Sequence, residues 1–244
     1  MKKIVSILLL CSLSLSTVSA ITAIEIVNKM DDLETYKTSS SRGKITSNDR
    51  FGEKTSTFKA YSKGAYDSLI EFTSLAERGQ KVLRTEGELY LYYPDANELI
   101  RLTGAALRQS LLGSDISYED MTGEKDTLKD YEVTLKGNTI VNNRACYILQ
   151  LVAKTRKVAY PTQTLYVDKE TFVVWKGEYS TASGRLLKEI EVLSTIKVDD
   201  RTIPNETKII DTLKRNTSTI MKIDSIEIDI ALDENLFSID SLTW

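Results

Sequence analysis

The feature that most constrains this chain is a change of hydrophobic period at Gly43. Before it, Thr22 to Tyr36 repeats Ile24, Val27, Met30 and Leu33 at helical spacing, with Glu25, Asp31, Asp32 and Glu34 for the wet side. Beyond it the period falls to two. Strand-like runs then follow at residues 43–47, 55–62, 66–72, 81–85, 88–93 and 98–102. After an interruption they resume at 131–136, 146–153, 163–167, 172–179, 186–193, 206–211 and 218–230. Turn chemistry separates many of them: Lys63-Gly64, Asn142-Asn143, Asp168-Lys169, Ser183-Gly184 and Asp199-Asp200. Ser39-Ser40-Ser41 reads as a connector between the helix and the first strand. So many short strands with few helices predict an antiparallel meander, and ten or more strands in one sheet must curl or close. The expected fold class is mainly β with a few helices (α+β), in one domain over residues 21–244, because no repeat, linker or low-complexity tract divides the chain.

Two details refine this reading. Met221 and Ile223 share one parity of the last strand, whereas Ile226, Ile228 and Ile230 share the other. Either a bulge near Asp224-Ser225 keeps both sets on one face, or the strand is buried on both faces. The interruption at 103–123 carries Ala105 to Leu112, which reads as a short amphipathic helix ended by Gly113. Ser117 reads as the cap of another helical turn.

The N-terminus looks like an address. Met1-Lys2-Lys3 is a positive start, Ile4 to Leu15 is mostly apolar, and Val18-Ser19-Ala20 offers small residues for a cut after Ala20. The apolar stretch is too short for a membrane span. Removing it takes the formal charge from −3 to −5, an acidic exported chain suited to a periplasm. Cys11 gives a rival reading as a lipidated cysteine, but Leu10 before it is not the small residue such a site wants.

Composition then excludes chemistry. There is no histidine, so the commonest general base, the usual zinc ligand and the usual activator of a Ser or Cys nucleophile are missing. Only Cys146 of the two cysteines remains after the cut, so neither an internal disulfide nor a Cys-based metal cluster is expected, and no cofactor is implied. Cys146 lies in an apolar strand and reads as a small buried hydrophobe. No Lys/Arg cluster suggests nucleic acid. Carboxylate chemistry survives: Asp115, Glu119 and Asp120 are concentrated enough to suggest glycoside hydrolysis, or they cap and solvate short helices. Tyr90, Tyr92 and Tyr93 around Leu89 and Leu91 either line a ligand cavity or fill a core, and Trp175 is open to the same two readings.

Residues 88–121 carry a resemblance. Leu89-Tyr90-Leu91-Tyr92-Tyr93-Pro94, then Arg101-Leu102, then the unbroken run from Arg108 through Leu111-Leu112-Gly113-Ser114-Asp115-Ile116-Ser117-Tyr118-Glu119-Asp120 to Met121, is similar to the outer-membrane lipoprotein-sorting (LolA-like) family. Tyr166-Val167-Asp168, the strand through Trp175, Ser183-Gly184 and the segment from Leu232-Asp233 to Phe237-Ser238 fit the family more softly. The resemblance implies a half-barrel of about eleven antiparallel strands over helices, enclosing a hydrophobic cavity. It implies a monomeric, non-enzymatic periplasmic carrier of lipoprotein acyl chains or lipid, loaded at an inner-membrane export complex and unloaded at an outer-membrane acceptor. On that reading Tyr90, Leu91, Tyr92, Leu107, Leu111, Leu112, Ile116 and Trp175 line the cavity or its lid, and Ala105–Leu112 is the lid. Carriers of this fold hold an arginine that closes the cavity where this chain has Lys63–Asp67, which makes Lys63 the candidate closing cation. The same fold also serves as an envelope-stress sensor that binds a partner protein, the alternative function.

Overall fold

The computed structural model describes residues 20–123 and 126–243, so the leader expected over 1–20, with Cys11, lies outside it except for Ala20. The period-two pattern produces thirteen strands, one for each run read in the sequence: β1 (Thr38–Asp49), β2 (Gly52–Lys63), β3 (Asp67–Phe72), β4 (Lys81–Thr85), β5 (Glu88–Tyr93), β6 (Glu98–Leu102), β7 (Tyr131–Val141), β8 (Arg144–Ala153), β9 (Thr162–Asp168), β10 (Val174–Ser180), β11 (Leu186–Val198), β12 (Arg201–Asp211) and β13 (Ser218–Ile228). The resemblance implied about eleven. They form one antiparallel sheet in the order β6-β5-β4-β3-β2-β1-β13-β12-β11-β10-β9-β8-β7. Two meanders, β1–β6 and β7–β13, are therefore sewn together by a single long-range pair, β1 with β13. The outermost strands β6 and β7 do not pair, so the barrel stays open.

Curvature comes from bulges, and they are unevenly distributed. No register shift interrupts the pairs from β1 to β6, whereas shifts occur in β7/β8, β9/β10, β10/β11, β11/β12 and β1/β13. In β1/β13, Arg42 faces Ser225 and Gly43 faces Ile223, so Asp224 is the extra residue of the bulge expected from the parity switch. Type I′-like turn chemistry appears where the sequence asked for it: Asn142 and Asn143 both have positive φ, at 48° and 63°.

The helix α1 (Ala23–Glu34) starts at a capping box: the Thr22 hydroxyl accepts the Glu25 N–H at 3.2 Å, and Glu25 Oε2 accepts the Thr22 N–H at 2.7 Å. Its apolar stripe, Ile26, Val27 and Met30, is buried against Leu149 and Leu151 of β8 and Leu165 and Val167 of β9. Arg201 donates to the Asp32 and Thr35 carbonyls, satisfying acceptors that the helix C-terminus leaves orphaned. One correction falls here. Ser39-Ser40-Ser41 is strand, not connector, because β1 begins at Thr38 and pairs residue by residue with β2.

On the face that α1 covers, a larger apolar cluster joins Phe58, Ile70, Phe72, Val82, Leu89, Leu91 and Leu102 of the first meander to Leu111, Ile116 and Tyr118 of the β6–β7 connection. Burial of each such side chain contributes about 1.5–3 kcal/mol. On the opposite face Leu69 and Leu83 pack against Phe237 and Leu242 of the C-terminal 3₁₀ turns, Glu234–Phe237 and Asp240–Leu242.

Candidate functional site: a cavity and its strap

The chain must travel from β6 at one edge of the open sheet to β7 at the other, and it does so across the inward face. This connection, a strap, contains 3₁₀ turns at Gly104–Arg108 and Leu111–Gly113, then α2 (Tyr118–Thr122) and α3 (Thr127–Asp130). The single helix expected over Ala105–Leu112 is broken. Ser110 bridges Ser117 as an isolated strand pair, the Leu111 N–H donates to the Ile116 carbonyl at 2.8 Å, and Leu112 takes a positive φ of 53°. Tertiary pairing overrides the local pattern.

Polar latches fasten the strap. Asp115, 2% exposed, accepts from the Thr217 hydroxyl at 2.8 Å, lies 3.4 Å from the Lys214 ammonium, and sends its own N–H to the Thr219 hydroxyl of β13 at 2.9 Å. Asp120 closes a capping box with Ser117 on α2, pairs with the buried Lys188 of β11, and accepts the Tyr160 hydroxyl at 2.8 Å. Burial and this carboxylate together hold the Tyr160 phenol far above its ordinary range. Glu119 approaches Arg108 at 3.8 Å, and burial raises its carboxyl against that cation. Arg108 also donates to the Lys157 and Val158 carbonyls, at 2.9 and 3.0 Å. All three carboxylates of the glycosidase reading thus serve as fasteners of the strap. Asp120 is the cap the sequence suggested, whereas Asp115 is buried rather than solvated.

Beside the strap, a cavity of about 200 Å³ lies between the end of α1, the strands β1–β3 and α2. It exists because small side chains meet across strands: Ser39 faces Ser62, which faces Ser68, and Ser41 faces Ala60. Tyr36, Ile70, Met121 and Ile226 supply apolar walls. Ser39 Oγ and Ser62 Oγ bond each other at 2.7 Å, while the buried Ser68 hydroxyl has no hydrogen-bond partner among the described residues. The Glu34 and Asp67 carboxylates line the same cavity. The arrangement suits holding an apolar chain near a polar strip.

Of the residues nominated from the sequence, Leu91, Leu107, Leu111, Leu112 and Ile116 come together in the large inward cluster. Tyr90 and Tyr92 alternate to the opposite face and pack under the C-terminal turns. Trp175 sits at the β9/β10 bulge with Cys146, Val173 and Val192, and the Arg144 guanidinium lies 4.1 Å from its ring. Lys63 is exposed at the end of β2, opposite Asp67 and Thr38, and does not line the cavity. Cys146 is fully buried, which pushes its thiol up and leaves it inert. Ser39, Ser41, Ala60, Ser62 and Ser68 were missed. Their only sequence signal was a run of small residues at period two, which acquires meaning once the register is known.

Among the described residues no helix is long and apolar enough to cross a membrane, and no group of acidic, Cys or His side chains is placed to hold a metal. A family model described as "uncharacterized protein" matches residues 64–244. No curated protein matches the sequence. Solved structures do. A DUF1329 family protein from Desulfovibrio piger is 24% identical, with a TM-score of 0.83 over 90% of this chain and 97% of its own. A domain from Vibrio parahaemolyticus described as outer membrane lipoprotein-sorting is 18% identical, with a TM-score of 0.81 over 91% and 98%. A LolA superfamily protein from Nitrosomonas europaea is 24% identical, with a TM-score of 0.77 over 91% and 100%. These likenesses show the fold, a LolA-like curved, unclosed sheet.

Proposed function

We propose, from the premise that this chain belongs to the uncharacterized-protein family whose model spans residues 64–244 and has a LolA-like fold, that it is a periplasmic, non-enzymatic carrier of acyl chains. Its cargo is lipid or the acyl chains of lipoproteins, received from an inner-membrane complex and passed to an outer-membrane acceptor. Export by a leader over residues 1–20 delivers it there.

The observation that carries this reading is the strap. A large apolar cluster on the inward face is covered by short 3₁₀ turns, and polar latches fasten the strap to the far half of the sheet. The cavity of about 200 Å³ is smaller than the roughly 300–1,000 Å³ typical of ligand pockets, so on this reading it widens when an acyl chain is taken up. Acyl chains enter as Leu107, Leu111 and Leu112 lift from the cluster and exchange protein contacts for ligand contacts. Each buried methylene contributes about 0.8 kcal/mol, so a chain of about fourteen gives about 11 kcal/mol, enough to offset opening and ordering. No catalytic residue is needed.

Titration with a fluorescent fatty acid and with a triacylated peptide tests the carrier. Ala60→Phe fills the cavity from the C-terminal part of β2 and is expected to weaken uptake about tenfold or more while the β-sheet circular dichroism is retained. Saturable binding by the parent chain and its loss in that variant support the reading. Failure of the parent to bind either probe, or unchanged binding by Ala60→Phe, sinks it.

A further inference from the structure

The strand connections at the two ends of the sheet carry opposite charge. At one end lie β1–β2, β3–β4, β5–β6, β8–β9, β10–β11 and β12–β13, with seven exposed Lys and Arg side chains and one exposed carboxylate, Asp95. The five connections at the other end carry exposed Glu86, Glu170, Asp199 and Asp200 and no exposed cation. Exposed strand-end residues add Asp49 and Glu98 to the first end and Lys63 and Arg144 to the second, which leaves the excess of cations at the first end.

Apolar side chains are concentrated at the middle of the basic end. Among the described residues, Leu75 in the β3–β4 connection and Phe51 in the β1–β2 turn are the two most exposed large apolar residues, at 86% and 82%, and Leu213 in the β12–β13 turn is 58% exposed. The sheet order β4-β3-β2-β1-β13-β12 makes these three connections immediate neighbours, spaced about 10 Å apart at two strand widths each. Each pairs its apolar tip with an exposed arginine: Arg50 beside Phe51, Arg78 beyond Leu75, and Arg215 beyond Leu213. The tips are held rather than loose. The Asp49 carboxylate accepts the Phe51 N–H at 2.7 Å, that of Asp211 accepts the Leu213 N–H at 2.9 Å, and Lys54 pairs with the buried Glu77 beneath Leu75 at 2.7 Å.

We propose that this rim docks on a bilayer surface carrying anionic lipid. Three separate apolar tips, each beside a guanidinium, do not make the contiguous apolar core of a protein interface. They match a headgroup layer, where phosphates meet guanidinium groups and apolar tips reach the acyl boundary. Juxtamembrane cations each add to such binding, and salt screens them. The acidic end then faces away from the membrane. The inference is independent of what the cavity holds.

Co-sedimentation of the purified protein with phosphatidylcholine vesicles, and with vesicles of equal phosphatidylcholine and phosphatidylglycerol, tests it. Binding is expected to the anionic vesicles, to weaken with salt, and to fall about tenfold or more in Phe51→Ser/Leu75→Ser/Leu213→Ser and in Arg50→Glu/Arg78→Glu/Arg215→Glu. Fatty-acid uptake in solution stays unchanged in both variants, which separates this proposal from the carrier reading. No binding to anionic vesicles at low salt, or equal binding by the variants, overturns it. So does an effect of the substitutions that appears only with a protein acceptor.

Discussion

Asp115, Glu119 and Asp120 lie within six residues of one another and are held in three different ways. Asp115 and Asp120 are partnered by Lys214 and Lys188, whereas Glu119 is half-buried with Arg108 only at 3.8 Å. For Glu119 the burial outweighs the cation, so its folded carboxyl titrates above its ordinary value. The linkage sign follows. A carboxyl raised in the folded state contributes stability that is fully present below the unfolded value, about 4.3, and is lost as pH rises through the folded one. Glu119→Gln, neutral throughout, is therefore expected to raise the melting temperature at pH 7 and to have little effect at pH 4. Destabilisation at pH 7 that shrinks at pH 4 would mean that the Arg108 contact dominates. Asp115→Ala is expected to lower stability by about 1–3 kcal/mol in urea unfolding, because it leaves the Thr217 hydroxyl without its acceptor and removes the carboxylate partner of Lys214, whose ammonium keeps the Gly113 and Ser114 carbonyls. The sequence marks these residues as acidic and clustered. Which one is buried depends on β13, about a hundred residues away, and no local pattern encodes that.

Elements were more legible than residues. All thirteen period-two runs became strands, because alternation reports a half-buried surface whatever the neighbour is. The parity switch even located the bulge at Asp224. Errors fell where local and tertiary signals compete. The serines of β1 have no apolar marker yet are strand by pairing with β2, and the 105–112 helix breaks because its turns must meet 114–117. Gly43 shows the coupling at its sharpest. A Cβ there would stand 2.3 Å from the Lys222 carbonyl oxygen and 2.9 Å from the Phe58 ring, at the point where the bulge brings β13 close. Gly43→Ala is expected to destabilise the fold by about 1–3 kcal/mol or more, since backbone cannot yield as a flexible side chain would. A stability unchanged within error in denaturant titration would show that the bulge relaxes freely.

At the scale of the whole molecule the decisive features are long-range: the β1–β13 seam, the edges β6 and β7 left open, and the strap running between them under the sheet. The sequence offers the strap's residues but not its route, and the cavity's small side chains become a cavity only when register sets Ser39, Ser62 and Ser68 side by side. This topology divides the molecule into a hydrogen-bonded sheet and a cover held mainly by side chains, and the two should open independently. Hydrogen exchange can see that division. Amides of residues 104–113 are expected to exchange faster than those of β1, β2 and β13, and faster still once a fatty acid is bound, while the strands beneath keep their protection. Arg108→Ala, which removes the strap's bonds to the Lys157 and Val158 carbonyls, should reproduce part of that acceleration without ligand and speed probe uptake. If fatty acid instead protects strap and strands alike, the strap is a fixed part of the core and the cargo enters by another path.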